Sequence, residues 1–515
     1  FLKDLDIPKK AMEGFSLEGI EKLNPPQELA VEKGLLDYKN LVVASPTASG
    51  KTLMAELAFL KTIIEKKKKA VYIVPLKALA YEKYDDFKKY KNLGVRVGMS
   101  VGDYDSPDNW LANQDLIIVT VEKLDSILRH NPIWVSEIGL IIADEIHLLN
   151  DPGRGPTLEV VLTKLKRDTK SQILGLSATI SNAIDIAQWL DAELVKSDYR
   201  PVKLEEGVYD GEKVRFLGRR DLNIGGETAM HGGEILLSEQ TVSREKQALI
   251  FLSSRRNSEK SAEDIGKFVK KYLKKEEKMK LEELADKILS VPSQPTKQCR
   301  RLAGCVKNGS AFHHAGLQNK QRTLVEDYFR KNIVKTISAT PTLAAGVNLP
   351  AWRVLIRDCK RYQAGYGSVY IPVLEYEQMA GRAGRPKYDT EGEAIIIGKS
   401  DREAQELQDR FIIGEPENIY SKLSVEPILR THVLSLISTT VRDTEELLDF
   451  FSDTFFSYQY GDISKIEGII ESIVRKLEEQ QFIRIDEDGL EPTRIGKRVA
   501  ELYLDPNTAD KIIKA

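Results

Sequence analysis

Short uninterrupted apolar runs punctuate the chain, and each is followed by a stretch whose apolar residues recur at helical spacing. "LVVA" at 41–44 gives way to a polar loop and then to "TLMAELAFLKTIIEK", where Leu53, Leu57, Leu60 and Ile64 share one helical face. "IGLIIA" and "QILGL" repeat the apolar-run pattern downstream, and "QALIFL", "KTISA" and "EAIIIG" repeat it in the second half. Runs without polar alternation are what strands buried on both faces look like, so the pattern predicts parallel sheets covered by helices, in two successive α/β units. Between "NLPA" and "QMAG" the segment "VLIRDCKRYQAGYGSVYIPV" alternates around a glycine-rich centre, which predicts a β-hairpin at about 356–371. After Ser400 the pattern turns helical, in "HVLSLIS", "DTEELLDFFSDTFF" and "DISKIEGIIESIVRKLEEQQFI". "IRIDEDGLEPTRIG" then reads as a small hairpin turning near Asp488-Gly489, and helices closed by such a wing predict a winged-helix domain. Two stretches read as decoration: the glycine-rich "GRRDLNIGGETAMHGGEILLSEQ", expected to be an inserted loop, and "KFVKKYLKKEEKMKLEELADKIL", expected to be an exposed charged helix.

Composition narrows the classes. A chain of 515 residues is too long for one core, so roughly three domains of about 150 residues are expected. Hydrophobic content of 42% with 30% charged residues describes globular domains. No apolar run is long enough to span a bilayer and "FLKDLDIPKK" has no signal-peptide pattern, so the expectation is a cytoplasmic protein without a membrane partner. Cys299, Cys305 and Cys359 cannot complete a disulfide set and fit neither a zinc ribbon nor a four-cysteine iron–sulfur site. The adjacent His313 and His314 lack further ligands at metal spacing. A net charge of −2 neither implies nor excludes nucleic acid, because a binding groove needs local positive charge.

The loop after the first apolar run, "SPTASGKT", lies between a predicted strand and a predicted helix. In that setting the loop opens at Pro46, the backbone N–H groups of Thr47-Ala48-Ser49-Gly50-Lys51-Thr52 and the helix N-terminus converge on phosphates, Lys51 adds a point charge, and the Thr52 hydroxyl is placed for Mg²⁺. Ser45 stands where the strict pattern has glycine. "IGLIIADEIHLL" ends an apolar strand in acids: Asp144 suits Mg²⁺ and Glu145 suits activation of water in phosphoryl transfer. Ser177-Ala178-Thr179 follows "QILGL", with hydroxyls suited to coupling one site to another. In "QMAGRAGRP", Gln378, Arg382 and Arg385 fall at i, i+4 and i+7 and would share one face of a helix ending near Pro386. Two such arginines either make a solvated, salt-bridged face or stabilise charge on a γ-phosphate held by the first domain.

The ordered set "PPQ", "SPTASGKT", "PLKALA", "TVEKLD", "DEIH", "SAT", "FHHAGL", "ATPTLAAGVNLPA" and "QMAGRAGRP" resembles the superfamily 2 DExH-box helicases. In detail it resembles the archaeal Hjm-type repair helicases, relatives of the helicase part of DNA polymerase theta. The resemblance implies a RecA-like domain at 1–198, a second at 199–403 carrying the hairpin as a strand-separating pin, a winged helix at 404–503 and the start of a helical ratchet domain at 504–515. It implies that Gln27 reads adenine, that His147 joins Ser177 and Thr179 in coupling, and that Lys77, Thr120, Thr340 and Thr342 touch strand phosphates. Tyr362 and Tyr366 at the pin would stack on bases. The implied activity is an ATP- and Mg²⁺-dependent helicase moving 3′ to 5′ on single-stranded DNA. It would open forked DNA in repair, as a monomer, with replication or recombination proteins as partners. An RNA helicase of the related exosome-cofactor group and a nucleotide-gated nucleic-acid clamp are the alternatives.

Overall fold

The computed structural model describes residues 1–17, 19–102, 108–224, 232–363, 365–386, 388–461, 464–486 and 489–515. They form two compact units, one of residues 1–45, 49–199 and 418–515, the other of residues 46–48 and 200–417.

The first unit is built on seven parallel strands: β1 (Leu41–Ala44), β2 (Lys69–Val74), β3 (Val97–Ser100), β4 (Leu116–Thr120), β5 (Ile138–Asp144), β6 (Gln172–Ser177) and β7 (Glu193–Lys196). Their order across the sheet is β3-β4-β2-β5-β6-β1-β7. Every residue of β1, β2, β4 and β6 is buried, which is why these strands read as continuous apolar runs rather than as alternation. Because β6 separates β1 from β5, the loops leaving β1 and β5 open onto a crevice at the carboxyl edge, the place where open α/β sheets bind ligands.

The helical C-terminal region packs on the same unit. The helices Glu426–Thr439, Thr444–Ser452 and Ser464–Glu479 and the antiparallel hairpin β18 (Ile483–Asp486) with β19 (Gly489–Pro492) share one apolar cluster with Val160 of the helix Gly155–Asp168. Polar contacts then fix the junction. The Glu159 carboxylate accepts from the Ser421 hydroxyl at 2.6 Å and the Phe456 N–H at 2.7 Å. Asn182 exchanges two hydrogen bonds with the Ile419 backbone, and the Arg129 guanidinium donates to the Ala500 carbonyl. The turn expected near Asp488-Gly489 falls partly on 487–488, outside the described residues.

In the second unit, β8 (Lys203–Tyr209), β9 (Lys213–Phe216), β10 (Leu222–Asn223), β11 (Ala248–Phe251), β12 (Ser310–His313), β13 (Thr336–Ala339), β14 (Arg353–Ile356) and β17 (Glu391–Ile397) form an eight-stranded sheet. The order is β10-β9-β8-β17-β14-β11-β13-β12, with β8, β9 and β10 joined by antiparallel pairing and the remainder parallel. Beside it stands a separate hairpin, β15 (Lys360–Gln363) with β16 (Gly367–Tyr370), in the register Gln363↔Gly367.

Two expectations are corrected here. The helix expected to run through Arg385 ends at Ala380. Gly384 adopts φ +88° and Ala383 bridges to Ala351, a backbone path no helix follows, so Gln378, Arg382 and Arg385 do not share a helical face. The charged stretch 267–289 is not one exposed helix either. It breaks after Tyr272, and its second part, Lys275–Ser290, buries Leu281, Leu284, Ala285 and Ile288 at i, i+3, i+4 and i+7 in the main core of the unit. High charge on the other face masked that stripe. Of the glycine-rich insertion, 225–231 lie outside the described residues, while its first part holds β10 and its last part opens the helix Gly233–Ser243.

Candidate active site and strand-binding edges

The loop between β1 and the helix Lys51–Ile64 shows how Ser45 replaces glycine. Ser45 is fully buried, and its hydroxyl meets that of Ser49 at 2.8 Å, closing the neck of the loop. The left-handed positions are Ala48 at φ +67° and Gly50 at φ +91°, so the freedom of glycine is needed at 50 and not at 45. Even a methyl group on Gly50 would lie 2.2 Å from Gln27 Nε2. Lys51 Nζ donates to the Ser45 carbonyl at 2.6 Å, which holds the ammonium over the loop. Pro46, Thr47 and Ala48 form the crown, and Lys51 and Thr52 open the helix.

Gln27 is buried, 3% exposed, with both ends of its amide engaged. Its Oε1 accepts from the Asn24 N–H at 2.8 Å in a helix capping box, and its Nε2 donates to the Gly50 carbonyl at 3.0 Å. It therefore ties the helix Pro25–Glu32 to the phosphate loop.

The acids lie at the end of β5. Asp144 Oδ2 accepts from the Tyr72 hydroxyl at 2.9 Å and Oδ1 from the Glu145 N–H at 3.1 Å. Burial pushes the Asp144 carboxyl above its ordinary range, and the positive charge of Lys83 is the largest influence opposing that rise. Glu145 takes φ +55°, a left-handed conformation rare for a side chain with a Cβ, and this sharp exit from the strand separates the two acids. His147 is nearly buried. Its Nδ1 lies 3.5 Å from Glu145 Oε2, 3.4 Å from Ser177 Oγ and 3.5 Å from the Ala178 N–H, so it links the acid to the end of β6. Burial lowers its pKa, and the nearby Glu145 carboxylate opposes that. Thr179 lies half-buried beyond this link.

Sequence reasoning missed Lys83. This lysine, 6% exposed on the helix Lys77–Phe87, donates to Thr52 Oγ1 at 2.9 Å and lies 5.9 Å from the ring centroid of Tyr72. The Thr52 hydroxyl and the Tyr72 ring thus flank one cation, whose charge is felt at Asp144. A lone lysine within a helix carries no local signal of such a role.

Two edges are suited to a phosphodiester chain. In the first unit β2 and β4 are neighbours with Val74 opposite Thr120, and each feeds a helix, Lys77–Phe87 and Val121–Arg129. Lys77 is exposed, whereas Thr120 is 2% exposed. In the second unit β11 and β13 are neighbours with Phe251 opposite Ala339. Thr340 and Thr342 follow β13, their hydroxyls 2.9 Å apart. Ser254 caps the helix that follows β11, and the exposed Arg255 and Arg256 open it. That basic pair stood in "QALIFLSSRR", and the strand pairing puts the loops after β11 and β13 side by side.

Gln378 lies in the helix Val373–Ala380. Arg382 donates to the Ala344 carbonyl and to Asn348 Oδ1, while Arg385 pairs with Asp389 at 2.7 Å and donates to Gln247 Oε1 at 2.9 Å. Burial alone would raise the Asp389 carboxyl, yet hydrogen bonds from Arg385 and Lys246 hold it below its ordinary value. Tyr362 and Tyr366 project from the hairpin at 81% and 78% exposure. No group of three metal-ligating side chains occurs among the described residues, and no helix there is long and apolar enough to cross a membrane.

Residues 24–186 match the DEAD/DEAH box helicase family, and residues 233–387 match the helicase conserved C-terminal domain. The chain is 46% identical to the ATP-dependent DNA helicase Hel308 of Methanocella arvoryzae, over 99% of this chain and 68% of that relative. It is 44% identical to the same-named protein of Pyrococcus horikoshii, over 100% and 70%, and 46% identical to that of Pyrococcus abyssi, over 99% and 69%. At that likeness, along almost its whole length, the chain belongs to the Hel308 family of ATP-dependent DNA helicases.

Proposed function

We propose that this chain is an ATP- and Mg²⁺-dependent DNA helicase that tracks 3′ to 5′ on single-stranded DNA and opens forked or branched DNA in replication-fork repair and recombination. The observation that carries the reading is the carboxyl edge of the first sheet. There Lys51 and Thr52 open a helix behind a curled loop, Asp144 and Glu145 end β5, and His147 ties Glu145 to Ser177. The donor set fits a magnesium nucleotide, since it offers a hydroxyl, Thr52, that already accepts from an ammonium, and a carboxylate, Asp144, at the end of β5. Thr52 and Asp144 would hold the metal, which when bound with ATP neutralises charge on the β- and γ-phosphates.

The remaining chemistry belongs to side chains and backbone. The loop amides and Lys51 are assigned to phosphate oxygens, and Gln27 to the adenine edge, a role for which its amide must exchange a present partner, Asn24 or Gly50. Glu145 orients and deprotonates the attacking water, and its strained backbone keeps it apart from Asp144. Gln378, Arg382 and Arg385 are assigned to the charge that develops on the transferred phosphoryl group. His147, Ser177 and Thr179 relay the state of Glu145 to the end of β6. Lys77 and Thr120 in one unit, and Thr340 and Thr342 in the other, position a strand by its phosphates rather than by its bases. The Tyr362 and Tyr366 hairpin is assigned to holding apart the strands at the fork.

Strand displacement on matched DNA and RNA forks with 3′ or 5′ tails tests the reading. Displacement of 3′-tailed DNA, with little on RNA or on 5′ tails, is expected. Preference for RNA would instead favour the exosome-cofactor type of activity, and tight ATP-dependent binding without displacement would favour a clamp.

A further inference from the structure

We propose that Lys83 is the resident counter-ion of the magnesium site, so that Mg²⁺ arriving with a nucleotide exchanges with its ammonium at Thr52. The inference rests on the assignment of Thr52 and Asp144 to the metal, and it adds a residue that the phosphate-loop and acid motifs do not contain.

The geometry is specific. Lys83 lies six residues into the helix Lys77–Phe87, about 9 Å from its start at 1.5 Å per residue. There its side chain turns inward to 6% exposure. A buried ammonium needs compensating acceptors. Lys83 finds the Thr52 hydroxyl at 2.9 Å and lies on the side of Tyr72, whose own hydroxyl is committed to Asp144 at 2.9 Å. Glu56, one turn beyond Thr52 on the same helix, is taken by Lys89 at 3.1 Å and does not replace these contacts. The Thr52 oxygen that accepts from Lys83 is the one a metal ligand must offer to Mg²⁺. One lone-pair set cannot serve both at full strength, and two cations a few ångströms apart repel. Binding of the metal therefore requires Lys83 to withdraw from Thr52. The long, flexible lysine stem allows that withdrawal without movement of the helix.

The test is fluorescence titration of a labelled ADP at a series of Mg²⁺ concentrations, with wild type, Lys83→Met and Lys83→Arg. Lys83→Met is expected to lower the Mg²⁺ concentration that half-restores ADP affinity by about threefold to tenfold, the scale of one screened unit charge at this distance. Lys83→Arg, which keeps the charge, is expected to return it toward wild type. Thermal melting without nucleotide is the second readout. There Mg²⁺ should raise the melting temperature of Lys83→Met more than that of wild type, because the metal supplies the charge the lysine no longer does. A half-restoring concentration unchanged or raised in a folded Lys83→Met protein overturns the exchange. If Mg²⁺ has no effect on ADP affinity in the wild type, the assignment of Thr52 and Asp144 to a metal fails first and the exchange fails with it.

Discussion

The two parallel sheets end differently at their carboxyl edges. At the first edge, polar side chains meet across several strands: Lys51 on the Ser45 carbonyl, Tyr72 on Asp144, Lys83 on Thr52, His147 on Ser177. The second sheet has Thr340 with Thr342 at that edge and gathers Arg382 and Arg385 at the opposite, amino edge, where Arg382 meets Ala344 and Arg385 meets Asp389 and Gln247, the last two just before β17 and β11. The same α/β scaffold therefore carries clustered acids and lysines at the carboxyl edge of one unit and an arginine cluster at the amino edge of the other. Function lies in the loops and not in the sheets.

The largest effect should come from the first edge. Glu145→Gln is expected to lower ATP turnover by about a hundredfold to ten-thousandfold while ADP affinity stays within about threefold, because an amide occupies the same space but takes no proton. Lys51→Ala should instead lose affinity, since phosphate charge is then left without its ammonium. Rapid-quench turnover and equilibrium titration separate the two, and equal affinity losses would dissolve the distinction between gripping and activating groups.

Arg385→Ala comes next and probes the amino edge of the second sheet. Turnover is expected to fall about a thousandfold with a smaller change in ADP affinity, as for a group that meets charge in the transition state. The folded protein should also lose about 1–3 kcal/mol, because Asp389, 9% exposed, loses the guanidinium and keeps Lys246 and the backbone N–H of residue 385. If stability falls and DNA-stimulated turnover does not, Arg385 is a structural ion-pair partner and the contrast between the edges is greater than drawn here.

A smaller effect, of roughly 3 kcal/mol at most, is expected where the helical C-terminal region meets the first unit. Burial raises the Glu159 carboxyl to about 7, despite hydrogen bonds from Ser421 and the Phe455–Phe456 backbone. A carboxyl that holds its proton more tightly folded than unfolded stabilises the fold at low pH. That contribution is complete below the unfolded value near 4.5 and is lost as pH rises to about 7. Glu159→Gln should flatten this part of the pH–stability curve in denaturant melts, and an unchanged slope would assign it to other groups.

The smallest effect on chemistry is expected at the hairpin. Tyr362→Ala with Tyr366→Ala should leave DNA-stimulated ATPase within about twofold yet slow strand displacement severalfold, since each stacked base is worth roughly 1–3 kcal/mol. Equal losses in both assays would place the tyrosines in strand binding rather than strand separation.

Much of this was legible in the chain. Apolar runs marked the strands because parallel strands are buried on both faces, and "SPTASGKT" and "DEIH" marked the ATP site because phosphate grip and water activation need those residue types in sequence-local order. What was hidden depends on long-range pairing or on single backbone angles. Lys83, after β2, meets Thr52, after β1, only once β5 and β6 have been inserted between those two strands. The segments that carry Arg255 and Thr340 become neighbours only through the pairing of β11 with β13. The helix expected through Arg385 failed at Gly384, whose φ of +88° outweighed an apparent i, i+4, i+7 stripe. The apolar face of Lys275–Ser290 was obscured by the lysines and glutamates around it.

The central claim is that the acid-bearing edge of the first sheet turns ATP hydrolysis into strand separation. Displacement of a 3′-tailed DNA fork by wild type and by Glu145→Gln, at equal occupancy of the tail and saturating ATP, tests it most directly. Wild type should separate the strands while Glu145→Gln binds both the tail and ATP and separates none. Undiminished displacement by a folded Glu145→Gln protein would contradict the claim.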